Sequence, residues 1–179
     1  MDARTPPPTP VLDRAAFWLL FCLVIWAPIP LGSNRPWAWS VLEAGIFASG
    51  LLWLGAWARG ENVITEAARA AWPAIALLGA WLLVLLLHWV PLPAALVQVL
   101  SPQAAALHAG ANYLGPPGRW IWLSVDPHSS FDFWLKSCAY ATAFCLVLLL
   151  VHGRHRMAWL CFAIVATGLL QAFAGGLLH

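Results

Sequence analysis

The chain has 179 residues, 62% of them hydrophobic and 9% charged, with a mean hydropathy of +0.78 and a formal net charge of +2. A soluble domain carries about 25% charged residues, and a chain this poor in them cannot cover its own apolar surface, so a soluble globular domain is excluded and the lipid bilayer is the solvent that fits. The apolar content also excludes disorder, and nine basic residues spread along the chain form no stripe for nucleic acid.

Residues 1–14 read as a proline-rich cytoplasmic tail, because Pro6, Pro7, Pro8 and Pro10 remove backbone donors and favour an extended, solvated chain. Residues 15–179 read as a bundle of transmembrane helices: the apolar runs are continuous, whereas a β-barrel would show short segments of alternating polarity. The first span, 15–31, contains Pro28 and Pro30, so its regular helix is expected to stop near Ala27. Arg14 before a short apolar run is also what a signal peptide shows. The following Pro-Ile-Pro-Leu-Gly-Ser-Asn-Arg is a poor small-residue cleavage site, and an uncleaved anchor is the expectation.

The second span, 37–58, carries Gly45 and Ser49 at a spacing that lets helices approach closely, and the third covers 71–90. The long connection 91–131 is rich in Ala and Leu. Ser101 and Pro102 make an N-cap and first-turn pair and Gly110 a stop, which predicts short helices at 93–100 and 102–109, either flat on the outer leaflet or tucked between the spans. In the fourth span, 132–152, Lys136 follows Asp132 by one turn and reads as a structural cap. The fifth, 157–178, places Gly168 and Ala172 at packing spacing.

With the amino terminus inside, Arg4, Arg14, Arg59, Arg69, Arg154 and Arg156 are cytoplasmic, while Arg35, Arg119 and Lys136 are external. That asymmetry predicts an all-α integral membrane protein with about five transmembrane helices, N-in and C-out, with short interfacial helices in a long external loop. All tryptophans but Trp81 fall near span ends or in that loop, as in an aromatic belt. Cys22, Cys138, Cys145 and Cys161 lie in apolar runs without C-x-x-C spacing and read as small buried hydrophobes.

Ionisable groups inside a bilayer are functional candidates. Glu43 is the acid placed well inside a predicted span, with two readings open: a proton or substrate contact facing a water-filled cavity, or a carboxylate snorkelling toward Arg35 or a backbone donor. The six histidines sit at span ends, in the loop or at the last residue, so no pair matches a bis-histidine haem, and His152 with His155 lacks further zinc ligands. No metal or cofactor is expected, although a single histidine such as His88 leaves contact with a pigment open. No G-x-S-x-G, Walker loop, H-E-x-x-H or dinucleotide fingerprint occurs.

Two stretches, Pro28-Ile-Pro-Leu-Gly-Ser-Asn-Arg-Pro-Trp-Ala-Trp39 and Trp122-Leu-Ser-Val-Asp-Pro127, the latter followed by Lys136 and Ala139-Tyr140-Ala141, resemble the amino-terminal portion of bacterial O-antigen ligase-like proteins. The resemblance implies a multi-pass protein of the bacterial inner membrane, in a family whose members move undecaprenyl-pyrophosphate-linked glycans on the periplasmic side. It implies membrane lipids, such a glycan and other membrane subunits as partners. The family's arginines and histidine for this chemistry lie on a later periplasmic loop, and no residue here matches them, so the expectation is a truncated or partial relative, inactive alone. Arg35 and Arg119, with Asn34 and Ser33 as auxiliary donors, are the candidates for contact with a diphosphate headgroup, although Arg35 also reads as a snorkelling anchor. The alternative is a non-catalytic accessory subunit packed against a larger complex. A small transporter is disfavoured, since apart from Glu43 the spans lack buried charge.

Overall fold

The computed structural model describes residues 11–29, 36–111 and 120–177. In chain order these form helices α1 (Val11–Trp26), α2 (Pro36–Ala58), α3 (Glu66–Ala70) and α4 (Trp72–Trp89), strand β1 (Pro91–Pro93), helices α5 (Ala94–Leu100) and α6 (Pro102–Ala111), strand β2 (Trp120–Trp122), and helices α7 (Pro127–Leu150) and α8 (Arg154–Leu177). Four helical segments are long and apolar enough to cross a membrane: Trp37–Ala58, Trp72–Trp89, Pro127–Leu150 and Arg154–Phe173. This is the make-up of a multi-pass membrane protein in contact with lipid. On α4 no residue is buried, and side chains such as Leu77 and Leu83 are largely exposed.

The chain divides into two compact units, Met1–Trp72 with Ala141–His179, and Pro73–Tyr140. In the first, α1 and α2 pack antiparallel. A Cβ at Gly45 would lie 2.5 Å from a Leu23 side-chain methyl, so that side chain fills the space the glycine leaves, while Leu12 lies in ordinary contact over Gly55, 3.9 Å from where its Cβ would be. Ser49 is fully buried beside them, its hydroxyl donating to the Gly45 carbonyl at 2.9 Å. Helix α8 runs parallel to α1: Arg156 meets Asp13, Trp159 meets Trp18 and Phe21, and the Gln171 side chain donates to the Pro28 carbonyl.

In the second unit α4 and α7 are antiparallel, with Trp134 Nε1 donating to the Leu82 carbonyl at 3.2 Å and the Phe131 ring tilted against those of Trp89 and Trp134. Strands β1 and β2 pair antiparallel, Leu92 opposite Ile121. With prolines at 91 and 93, β1 has one N–H donor, at Leu92, which confines it to so small a ribbon. The inward side chains Leu92, Ile121 and Leu123 pack on Val97, Ala104 and Ala105 of α5 and α6.

Several boundaries differ from the sequence expectation. Helix α1 begins at Val11 rather than at residue 15, so Val11 to Arg14 belong to a helix and not to the tail, because Asp13 is buried against Arg156. It ends at Trp26, as expected from Pro28, which makes it about 24 Å long and shorter than a ~30 Å hydrocarbon core. Helix α7 starts at Pro127, five residues before the expected 132, because Asp126 caps it; the cap is therefore not the pair Asp132 and Lys136. Helix α8 starts at Arg154 instead of 157, directly after Gly153 at φ +90°. Helices α5 and α6 match the expected pair, and Ser101 does cap α6 through its hydroxyl, 3.4 Å from the Ala104 amide. Gly110 is not a stop, since α6 continues through Ala111. Among the described residues Gly168 has no neighbour that its Cβ would touch, unlike Gly45.

Candidate functional site

Helix termini leave backbone groups unsatisfied, and at the start of α7 the segment Ser124-Val-Asp-Pro-His-Ser-Ser130 satisfies them from side chains. Asp126 is the N-cap and Pro127 the first helical residue, whose missing N–H is an orphan position in any helix. Asp126 Oδ1 accepts from the backbone N–H of His128 at 3.1 Å and of Ser129 at 3.2 Å, and Oδ2 accepts from the Ser129 hydroxyl at 2.5 Å. The Ser129 hydroxyl, then its amide, holds the Asp126 carboxyl below its ordinary pKa, outweighing a small opposing desolvation.

Ser124 is the hub that ties this cap to its neighbours. Its N–H donates to the His88 carbonyl at the end of α4, 3.3 Å away, and its own carbonyl faces His108 Nε2 of α6 at 3.2 Å. Its hydroxyl donates to the Asp126 carbonyl at 2.9 Å and lies 2.6 Å from the Ser130 hydroxyl. An open cleft of about 320 Å3 results, lined by Leu85 and His88 of α4, Phe133 of α7, and Ser124, Asp126, Ser129 and Ser130. The His88 ring packs back on its own helix, with Nδ1 2.9 Å from the Val84 carbonyl. A carbonyl only accepts, so Nδ1 carries a proton and donates it to Val84. Among the described lining residues the cleft carries one formal charge, Asp126, and is walled on one side by apolar side chains.

A second polar centre lies in the first unit. Asp13 of α1 is fully buried, and Arg156 of α8 donates to its Oδ2 at 2.7 Å and to the α7 terminal carbonyl of Leu150 at 2.6 Å. The guanidinium also lies 4.7 Å over the Phe17 ring. His152 Nε2 approaches Asp13 Oδ1 at 3.5 Å, too far to satisfy that oxygen as a hydrogen bond. One arginine thereby joins α1, the end of α7 and the start of α8. The cation also complements the carbonyl end of α7.

Of the residues singled out from sequence, Glu43 is half-buried on α2 and accepts from Trp39 Nε1 one turn earlier, an indole donor that neither sequence reading named. Ser33, Asn34, Arg35 and Arg119 lie outside the described residues, as does the proline run 6–10. Among the described residues no three His, Cys, Asp or Glu side chains gather as a metal site would require. Sequence reading missed Asp13, Arg156 and the Asp126 cap. Two of the three had a signal: Asp13 continues the stripe Ala16, Phe17, Leu20 and Leu23 that α1 buries, and Asp126-Pro127 is the same cap pair as Ser101-Pro102.

The chain matches no protein-family model, no curated protein and no solved structure.

Proposed function

We propose that this chain is a multi-pass protein of the bacterial inner membrane, N-in and C-out, related to the O-antigen ligase-like proteins of cell-surface glycan assembly, and without transfer activity of its own. The observation that carries the orientation is the placement of basic residues within the first unit. Leu12 against Gly55, Thr65 hydrogen-bonded to the Leu148 carbonyl, and Asp13 paired with Arg156 bring the start of α1, the end of α2, α3, the end of α7 and the start of α8 to one end. Arg14, Arg59, Arg69, Arg154 and Arg156 therefore share that end, as the cytoplasmic face of a membrane protein does. Although short, α1 runs beside α8 from Arg156 to Gln171, which supports counting it as a fifth crossing.

For the glycan reading the support is the motif pair quoted above, of which Ser124-Val-Asp-Pro127 builds the α7 cap and its cleft. Transfer from a lipid pyrophosphate needs preorganised cations for the leaving group and a base for the acceptor. On the proposed external side the chain offers Arg35, Arg119 and Lys136. Reconstituted in liposomes with an undecaprenyl-pyrophosphate-linked oligosaccharide and a lipid A or glycan acceptor, the polypeptide should give no product but should retain the lipid-linked oligosaccharide on purification. Turnover abolished by Arg35→Ala or Glu43→Gln would overturn the inactive reading, and failure to retain the oligosaccharide would overturn the glycan reading.

The open surroundings of Gly168 on α8, beside exposed Val165, Leu169 and Phe173, favour as a second reading an accessory subunit that offers this face to a partner helix. A stoichiometric complex recovered from native membranes, and lost in Gly168→Leu, would support it.

A further inference from the structure

We propose that the outward face of the β1–β2 ribbon is a membrane-docking surface that seats in the lipid headgroup layer at the end of α4. Side chains alternate along a strand, and the register of this ribbon sorts its residues onto two faces. Leu92 and Ile121 turn inward, onto Val97, Ala104 and Ala105. Pro91, Pro93, Trp120 and Trp122 turn outward and all four are exposed, Trp120 by 62% and Trp122 by 41%. Pro91 lies opposite Trp122 and Pro93 opposite Trp120, so prolines and indoles form one patch whose only polar side-chain atoms are the indole nitrogens.

Placement, charge and backbone chemistry together select lipid as what covers it. Strand β1 starts just beyond Trp89, the last residue of α4, and β2 ends shortly before Pro127, the first of α7; both helices are long and apolar enough to cross a membrane. The Ser124 N–H donates to the His88 carbonyl at 3.3 Å, which fastens the exit of β2 to the end of α4. The patch therefore continues the apolar surface of α4, on which no residue is buried. From Val90 to Val125 the sequence carries one charged residue, Arg119, whereas a water-covered domain carries about 25%. Pro91 and Pro93 have no N–H, so taking β1 out of water strands few backbone donors. Tryptophan suits that depth, because its ring is apolar and its N–H can donate to the oxygens of lipid headgroups.

The inference rests on the multi-pass reading and not on the glycan reading. Its test is photo-crosslinking of the full-length chain in nanodiscs of phosphatidylethanolamine and phosphatidylglycerol, with adducts read by mass spectrometry. The label is p-benzoylphenylalanine, itself a large aromatic residue, placed at one position at a time. Trp120→p-benzoylphenylalanine and the same replacement at Trp122 should each give a lipid adduct. Two positions on the patch are used so that one label that unfolds the ribbon does not decide the result. On α6, Ala104 and Ala105 face the inward residues of the ribbon and Gln103 is exposed on the far side, so a label there should give no lipid adduct. A label at Leu83, exposed on α4, should give one on the multi-pass reading alone. An adduct at Leu83 with none at Trp120 or Trp122 would overturn the docking face and leave the multi-pass reading standing, whereas no lipid adduct at any of the three would overturn both. Lipid adducts at Gln103 equal to those on the patch would overturn the proposal, because the label would then report no face. So would an adduct of twice the chain mass at Trp120 or Trp122, which would seat a second copy there, or a lipid adduct at exposed Val99 of α5 in place of both tryptophans.

Discussion

At the scale of single residues the dominant interaction is the pairing of Asp13 with Arg156, because both are withdrawn from water and each is the other's compensation. Removing one partner of a buried pair leaves an uncompensated charge, at a cost of about 3–5 kcal/mol. Arg156→Ala and Asp13→Ala should each lower thermal stability in detergent by that order. The double variant Asp13→Leu with Arg156→Met should recover most of the loss. If the single variants melt like the parent, the pair contributes nothing and α1 is held by its apolar stripe alone. Asp126 behaves differently, since it is exposed and its effect is one of pH. Its folded pKa is lowered, so the stability it lends is complete above the unfolded carboxylate value and is lost as pH falls through the folded one. Melting profiles of the parent and of Asp126→Asn should therefore converge on acidification below the ordinary carboxylate range, and a constant gap down to low pH would contradict the cap.

At the scale of elements, caps and glycines decide where helices begin, end and touch. Helix α2 ends in a Schellman turn: Gly60 at φ +72° donates to Trp57 at 2.9 Å and Glu61 donates to Ala56 at 3.0 Å. Thr65 then caps α3 by accepting from Ala68 and donates to Leu148 at 2.7 Å. Thr65→Val keeps the shape and removes both bonds, so it should cost about 1–2 kcal/mol, while Thr65→Ser should be close to neutral. Equal melting of the two variants would show that the hydroxyl is dispensable. The glycine pairs show why sequence resolves elements better than contacts. Gly45 with Ser49 and Gly168 with Ala172 have the same spacing, yet among the described residues one lies against Leu23 and the other against nothing. Gly45→Val should destabilise by about 1–3 kcal/mol through overpacking, and Gly168→Val should not.

The apolar runs made four long helices legible because each needs only its own composition. The pairing of β1 with β2 and of Asp13 with Arg156 was hidden, since each joins residues far apart in the chain, and the stripe that Asp13 continues says which face it is on but not what meets it. The cap at Asp126 was legible in principle from Asp-Pro, but the apolar run that starts at residue 131 drew the boundary later.

For the whole molecule, the direction of the helices constrains how the chain threads a membrane. Helix α1 is antiparallel to α2 and parallel to α8. Likewise α4 is antiparallel to α7. An alternating path in which α1, α2, α4, α7 and α8 each cross once satisfies all three relations, with the five arginines at the shared end of the first unit facing the cytoplasm. Reporter fusions after Ala58 and Gly153 should then read cytoplasmic, and fusions after Asn34, Gly118 and His179 external. Reversed signals at any two sites would defeat this threading. Because α1 is the shortest helix on that path, its crossing is the part most open to test. Deletion of residues 1–27 removes one crossing together with Asp13, the partner of Arg156. If α1 crosses, the truncated chain should keep the orientation of its remaining helices only by carrying its new amino terminus outside. If α1 lies in one leaflet, the later helices keep the same orientation and the amino terminus of the full chain is already on the external side with Asn34, so a tag at residue 1 reads external in the full chain and cytoplasmic only if α1 crosses.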